Sequence, residues 1–327
     1  MQPRERFIAA LDRKPVQGHV PIFELNFFLT MEVLGKVHPT HRNYFQWNQM
    51  SGKEQALQIN DMADLYIDIA NKYNHDAIFV QSDPNILEAM MAVMERIREK
   101  TGDRFFLMIH GDPTFSIPGG DGMMDFSVRL LEDMPALKEW AEQNLQNCLK
   151  SAETLALRPG LLDGFALCSD YCFNVNPFFS PDIFAEIIAP YLKRVIDGYR
   201  ALGFRTIKHT DGNIMPILDQ LVECEPDALH SLDPQGGVTI PDVRKVTKGK
   251  LALCGNVNCA LLQTGTEEEC IEDVRRCLRE GMSEPGFIFC TSNCVYTGLP
   301  LERYDLMHRI WLEEGIYSQS TRKAENI

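Results

Sequence analysis

Long apolar runs are missing from this chain of 327 residues. No stretch of about 18 uncharged apolar residues occurs, which argues against a membrane-spanning helix. The first segment, MQPRERFIAALDRK, is charged throughout and lacks the apolar core of a secretory signal peptide. We therefore expect a cytoplasmic protein whose ten cysteines stay reduced.

Two further absences narrow the function classes. Basic residues are outnumbered, 32 Lys and Arg against 46 Asp and Glu, which gives a net charge of −14. Nucleic acid and anionic membranes both bind basic faces, so we expect neither as a partner. No Gly-rich phosphate fingerprint joins an early strand to a helix, which argues against a dinucleotide cofactor.

What the chain does contain is a regular alternation of short apolar runs and longer amphipathic stretches. The strand-like runs are 19–25, 77–83, 105–111, 164–170, 204–209, 228–234, 251–257 and 286–293. Ser180 and Thr266 are expected helix N-caps, the second with Glu269 as a capping box. Eight strands alternating with helices predict an α/β fold, a (β/α)8 TIM barrel. No linker divides the chain, so we expect one domain, 1–327.

Polar side chains stand at the end of nearly every predicted strand. They are Glu24 and Asn26, Asp83, His110, Asp170, His209 and Asp211, Asp233, Asn256, and Asn293 with Cys294. A single such residue is more often a turn former. Because barrel active sites lie where the strands end, the whole set predicts an active site at the barrel mouth.

His209 and Asp211 are two positions apart, so both side chains project from the same face of an extended chain. With Cys294 as a third donor they would make a catalytic zinc site with one open position. Cys290 is an alternative sulfur donor. Glu24 has three possible roles: a fourth ligand, a proton donor, or a partner in a hydrogen bond that closes the barrel mouth. The structural alternatives are hydrogen bonding for His209, helix capping for Asp211 and packing for Cys294.

Four blocks of the sequence resemble the uroporphyrinogen decarboxylase-like superfamily. They are RERFIAALDRKPVQGHVPI, HTDGNIMPILDQLVECEPDALHSLDP, KLALCGNVNCALLQTGTEEE and GFIFCTSNCVYTGLPLERYDLM. The resemblance covers nearly the whole chain and implies a (β/α)8 barrel with an N-terminal helical extension.

Within that superfamily the sequence is most similar to the corrinoid-dependent methyltransferases. True uroporphyrinogen decarboxylases carry an early Arg-rich motif, whereas this chain has IFELNFFLTMEVLG. The methyltransferases bind zinc through His-x-Cys after the fifth strand and a late Cys. Here His209 and Cys294 match, but Asp211 replaces the middle cysteine. The resemblance implies zinc on His209, Asp211 and Cys294, and a corrinoid (cobalamin) delivered by a partner protein.

Oxygen in place of sulfur makes the expected zinc harder and better suited to an ether oxygen. We therefore expect the demethylating methyltransferase of an O-demethylase system, acting on a small methoxylated, aromatic substrate. The expected catalytic residues are Glu24, Asp83 and Asp170, and the expected substrate-binding residues are Asn26, His110, Asn213, Asn256 and Tyr296. A metal-independent decarboxylase, a methylcobalamin:thiol methyltransferase and a non-catalytic corrinoid- or tetrapyrrole-binding protein stay open, as does a homodimer.

Overall fold

The computed structural model describes residues 1–317, and at its centre lies one parallel β-sheet of seven strands. Its strands are β1 (Ala77–Phe79), β2 (Phe106–His110), β3 (Gly164–Cys168), β4 (Arg205–His209), β5 (Ala228–His230), β6 (Ala252–Val257) and β7 (Phe287–Thr291). Each strand pairs with the next one along the chain, in the order β1 to β7. Parallel neighbours need crossover connections, so helices cover the outside of the curled sheet.

Thirteen α-helices lie within residues 1–317. They are α1 (Pro3–Leu11), α2 (Thr30–Leu34), α3 (Gly52–Lys72), α4 (Leu87–Thr101), α5 (Gly120–Glu132), α6 (Met134–Ala156), α7 (Pro181–Ile187), α8 (Ala189–Ala201), α9 (Leu218–Glu223), α10 (Ile240–Thr247), α11 (Cys259–Thr264), α12 (Glu267–Gly281) and α13 (Leu301–Glu314). Ser180 caps α7, and Thr266 with Glu269 forms the predicted capping box of α12. Among the described helices, none is long and apolar enough to cross a membrane.

The eighth position of the barrel is filled by an irregular extended segment rather than by a strand. Ile22 bridges Phe289 of β7 in parallel, and its carbonyl accepts a hydrogen bond from the N–H of Asp76, just before β1. A regular ladder does not form here, and Pro21 has no N–H to donate to one. The predicted α/β barrel is therefore confirmed, but a regular strand over 19–25 was a wrong expectation.

The amino-terminal helix α1 closes the bottom of the barrel, where the strands begin. Phe7 is fully buried, with its ring centroid 4.9 Å from that of Phe106 and 5.4 Å from that of Phe23. Inside the barrel these rings join an apolar cluster with the inward side chains of the strands. The N-terminal helix expected from the resemblance is therefore the plug of the barrel. The predicted single domain 1–327 includes residues 318–327, which lie outside the described part.

Candidate metal and substrate site

The carboxyl end of β4 supplies the two residues around which the site is built. His209 is the last residue of β4, and Asp211 follows in the next loop. The Nε2 atom of His209 lies 3.7 Å from Oδ1 of Asp211. The structure thus brings these two expected ligands together, and their ligand role stays a prediction.

Asp170, from the loop after β3, completes the group. Its Oδ1 lies 3.5 Å from Nε2 of His209 and accepts the backbone N–H of Asp211 at 3.2 Å. One donor atom from each of the three side chains lies within 4.8 Å of the other two. An imidazole nitrogen and two carboxylate oxygens at this spacing are a donor set that zinc accepts.

The electrostatics of the group also fit a cation. Among residues 1–317, neither Asp170 nor Asp211 forms an ion pair with a lysine or arginine. Burial raises the pKa of Asp211, and the nearby charges of Asp170 and Asp233 add to the rise, although His209 opposes it. Two adjacent carboxylates without a basic partner are stabilised when a divalent ion binds between them.

His230, the last residue of β5, holds the other side of the His209 ring. The two Nδ1 atoms are 2.7 Å apart, so one of them donates a hydrogen bond to the other. Burial, together with the neighbouring His209, holds the pKa of His230 well below its usual value, so His230 is neutral. When Nδ1 of His209 donates to His230, the lone pair of its Nε2 faces the two carboxylates, as metal binding requires.

Two more side chains hold the carboxylate of Asp211. Ser231 donates its hydroxyl to Oδ1 at 2.9 Å, and Asn293 donates its amide to Oδ2 at 2.5 Å. These donors come from the ends of β5 and β7, so the carboxylate is held from two sides of the mouth.

A fully buried ion pair lies beneath the site. Nζ of Lys208 is 2.8 Å from Oδ2 of Asp112 and also donates to the carbonyls of Leu167 and Ser169. It lies 4.1 Å from the ring centroid of Tyr171. Burial by itself raises the pKa of Asp112, but Lys208 and hydrogen bonds outweigh it, so the pKa is lowered. This pair fixes the ends of β2 and β3, and therefore the start of the loop that carries Asp170.

Glu24 is buried at the edge of the mouth, where it ties the irregular segment to β7. Its carboxyl accepts the hydroxyl of Thr291 at 2.6 Å and that of Tyr304 at 3.3 Å. Burial raises the pKa of Glu24 to about 8. It also lines a small cavity of about 30 Å³, room for little more than a water molecule. The expected hydrogen bond that closes the mouth is present, and the proton-donor role stays a prediction.

The two cysteines considered as ligands lie in different surroundings. Cys294 is half-buried, and burial, with a contribution from Asp211, raises its pKa to about 11. Its sulfur does not belong to the metal-competent group found among the described residues, which consists of Asp170, His209 and Asp211. Cys290 is fully buried in the barrel interior, and burial raises its pKa well above the usual value. The structure therefore places Asp170, rather than a sulfur, beside His209 and Asp211.

An open cleft of about 610 Å³ adjoins the group. Its lining residues are Ser116, Ile117, Asp170, Cys172, Phe173, Asn174, Val175 and Asp211. This volume is typical of pockets for small organic ligands. Since two of the three metal-competent residues form part of its wall, a ligand in the cleft would reach the group directly.

Three further expected residues lie around the mouth. Asp83 accepts the backbone N–H of Tyr44 and so holds the long segment before α3. Asn26 is half-buried, and its carbonyl accepts the N–H of Val295. His110 is exposed at the end of β2. Their catalytic and substrate roles stay predictions.

Three other expected substrate residues make contacts within the protein. The amide of Asn213 donates to the carbonyl of Val175, which joins the loops after β3 and β4. Asn256 is fully buried and bonds Arg276 and the carbonyl of Leu232, so it is placed to hold β6 rather than to meet a substrate. The hydroxyl of Tyr296 donates to Gln263.

Sequence reasoning missed His230, Ser231 and the Lys208–Asp112 pair. A signal for the pair exists in the run FRTIKH, because a lysine inside a buried strand needs a partner. His230 and Ser231 lie inside a predicted strand, and only the pairing of His209 with His230 shows that they adjoin the site.

Comparisons with solved structures show the same architecture. A methyltransferase from Methanosarcina mazei superposes with a TM-score of 0.72 at 15% identity, over 96% of this chain and 99% of that one. A putative vitamin-B12-independent methionine synthase from Listeria monocytogenes gives 0.50 at 11%, over 92% and 97%. GH5_18 from Streptomyces cattleya gives 0.50 at 13%, over 91% and 82%. At such identities the likeness shows the fold alone.

Sequence comparison finds one family that resembles the carboxyl-terminal part of the chain. None of the curated proteins matches the chain. The family described as uroporphyrinogen decarboxylase (URO-D) matches residues 170–311, a range that includes Asp170, His209, Asp211 and Cys294. The match covers less than half of the chain, and the barrel fold is compatible with it.

Proposed function

We propose that the protein is a zinc-dependent methyltransferase. It would move a methyl group from a small methoxylated aromatic substrate to the cobalt(I) of a corrinoid on a separate protein, as the demethylating component of an O-demethylase system. The observation that carries this proposal is the Asp170–His209–Asp211 group, two members of which, Asp170 and Asp211, line a cleft of about 610 Å³. The fold shared with a Methanosarcina methyltransferase supports it.

Asp170, His209 and Asp211 are the residues that would hold the zinc. Bound there, zinc supplies Lewis acidity toward the ether oxygen of the substrate. The donor set contains no sulfur, so it is harder than a thiolate site and favours an oxygen-bound over a thiol substrate. Cys294 is retained as a candidate additional ligand, because the resemblance implies it.

Other side chains have roles in orientation and proton supply. In the tautomer that binds zinc, Nδ1 of His209 would donate to Nδ1 of His230, which directs Nε2 of His209 toward the carboxylates. Loss of a methyl cation equivalent leaves the substrate oxygen negatively charged, and a proton completes the alcohol product. Glu24 is our candidate donor of that proton, because it lies buried at the edge of the mouth beside Thr291, outside the cleft wall, and burial raises its pKa to about 8.

Two alternatives are less well supported. A metal-independent decarboxylase acting on a polycarboxylate requires fixed cations at the mouth, and the residues that line the cleft include none. A thiol methyltransferase requires a sulfur-rich zinc site, whereas the group holds nitrogen and oxygen donors. The corrinoid protein as partner, the homodimer and the cytoplasmic location stay predictions.

Zinc analysis combined with methyl transfer tests the proposal. Wild-type protein is stripped with a chelator, reloaded and analysed for zinc, then mixed with 2-methoxyphenol and chemically reduced cob(I)alamin. We expect about one zinc per chain and formation of methylcobalamin. His209→Ala should lose both, whereas His19→Ala, whose ring bonds only the Leu312 carbonyl, should lose neither. Zinc content unaffected by His209→Ala would overturn the proposal.

A further inference from the structure

The loops that follow the strands share a compositional feature. They span 80–86, 111–119, 169–180, 210–217, 231–239, 258 and 292–300, and none of them contains a lysine or an arginine. Five of them contain an aspartate: Asp83, Asp112, Asp170, Asp211 and Asp233. These seven loops therefore offer a ligand carboxylates but no cationic side chain. The segment 26–51, which follows the irregular eighth position, carries Lys36 and Arg42, and both are paired with Asp61.

The residues that line the cleft likewise include no lysine or arginine. Its wall beyond the metal-competent group consists of polar uncharged and apolar side chains, with Phe173 and Val175 partly exposed to the opening. The nearest lysine in the sequence, Lys208, is fully buried and already bonded to Asp112. A negative charge on a ligand would find no fixed positive partner along this wall.

We infer that the cleft takes a methyl donor whose end remote from the methoxyl group carries no negative charge, that is, a neutral or cationic ring. This inference rests on the proposed function. With the methoxyl oxygen at the group, the remote end of the ring meets the Phe173–Val175 loop. A carboxylate there would lie in the negative potential of the aspartates around the mouth and would gain no ion pair from the residues that line the cleft. A divalent ion bound to Asp170 and Asp211 balances the charge of those two carboxylates, but it places no positive charge on the Phe173–Val175 loop.

Ligand binding measured by calorimetry tests the inference without turnover. Zinc-loaded wild-type protein is titrated with 2-methoxyphenol, with 4-hydroxy-3-methoxybenzoate and with 3-methoxy-N,N,N-trimethylanilinium. We expect the benzoate to bind at least about tenfold more weakly than the other two. Equal or tighter binding of the benzoate, or no binding of any of the three, would overturn the inference.

A charge added to the wall should change this selectivity. Val175 is 79% exposed at the cleft, and Val175→Arg should bring the affinity for the benzoate up to or above that for the phenol. Leu157 is 80% exposed at the end of α6, outside the cleft, so Leu157→Arg adds the same charge as a matched control. The control should keep the wild-type ratio, and a Val175→Arg ratio equal to that of the control would contradict the inference.

Methyl transfer from the same compounds to cob(I)alamin separates this inference from the function on which it rests. Neutral ligands that bind selectively but transfer no methyl group would leave the charge preference intact and refute the methyltransferase. Preferential transfer from the benzoate would support the methyltransferase and refute the charge preference.

Discussion

The two ends of the barrel use aspartate in opposite ways. At the amino-terminal end, Asp76, Asp163 and Asp227 each stand directly before a strand and accept a backbone N–H of a neighbouring segment at 2.8 Å. Each of them also pairs with arginine. The pairs are Asp76 with Arg6, Asp163 with Arg4 and Arg98, and Asp227 with Arg205.

At the carboxyl-terminal end, the aspartates follow the strands, and within residues 1–317 only Asp112 among them pairs with a lysine or arginine, namely the buried Lys208. Asp170 and Asp211 approach the same imidazole nitrogen, and their negative charges repel each other. Paired aspartates stabilise the fold at one end of the barrel. At the other end Asp170 and Asp211 accept hydrogen bonds but are not balanced by arginine or lysine among the described residues, which is the pattern expected where side chains are placed for a ligand.

The largest expected effect is at the mouth. Asp211→Asn should lower zinc affinity and methyl transfer by roughly 100-fold or more, because it removes one of the two carboxylates among the three ligands. Its amide can still bond Ser231 and Asn293, so in chelator-treated protein the free energy of unfolding should stay equal or rise. Zinc titration measures the change in affinity, and urea denaturation measures the free energy of unfolding. A substantial loss of stability would show that this carboxylate serves the fold.

The matched change at the opposite end should do the reverse. Asp163→Asn leaves Arg4, Arg98 and the N–H of Leu107 competing for one oxygen. We expect the free energy of unfolding to fall by about 2–4 kcal/mol, with zinc affinity unchanged. Urea denaturation of the same chelator-treated proteins measures the fall. If Asp163→Asn and Asp211→Asn had equal effects on stability, the contrast between the two ends would not hold.

Most of the fold could be predicted because a parallel barrel repeats one pattern. Apolar runs in alternation with amphipathic stretches place seven of the strands, each within a predicted run. The first run is equally apolar, yet 19–25 forms only single bridges. Hydrophobicity indicates burial between β7 and β1 but does not reveal that Pro21 has no N–H for a ladder.

The site could be predicted only as a set of strand ends. Composition indicates which end of the barrel carries the polar residues, but distances across the mouth depend on strand register. Cys168 pairs with His209, so Asp170 and Asp211, each two residues further on, become neighbours. Cys294 follows β7, three strands away from β4, and its sulfur position depends on a loop conformation that spacing does not specify.

Glu24 should make both the free energy of unfolding and the rate of methyl transfer depend on pH. Its carboxyl has a pKa of about 8 when folded against an ordinary 4.5, so the folded state holds this proton between those values. The free energy of unfolding should therefore fall as pH rises from 4.5 to 8. Transfer by the wild-type protein should also fall about tenfold per pH unit above 8, because the proton donor is lost.

Glu24→Gln cannot ionise and is the control for this effect. Its transfer rate should be low and independent of pH across the same range, and its stability should lose the wild-type slope. Stability and rate measured between pH 5 and pH 9 decide the matter. A Gln variant with the wild-type rate and the same alkaline decline would leave Glu24 as a structural bond to Thr291 alone.

The smallest effect is expected from Cys294→Ser. Because the sulfur lies outside the group of three donors, zinc affinity should change by less than about threefold. Cys148→Ser changes another half-buried thiol, on α6, and serves as the control. A loss above about tenfold in Cys294→Ser alone would make Cys294 a ligand. The mouth would then hold a His/Asp/Cys centre, and the loop 292–300 would have to move inward when zinc binds.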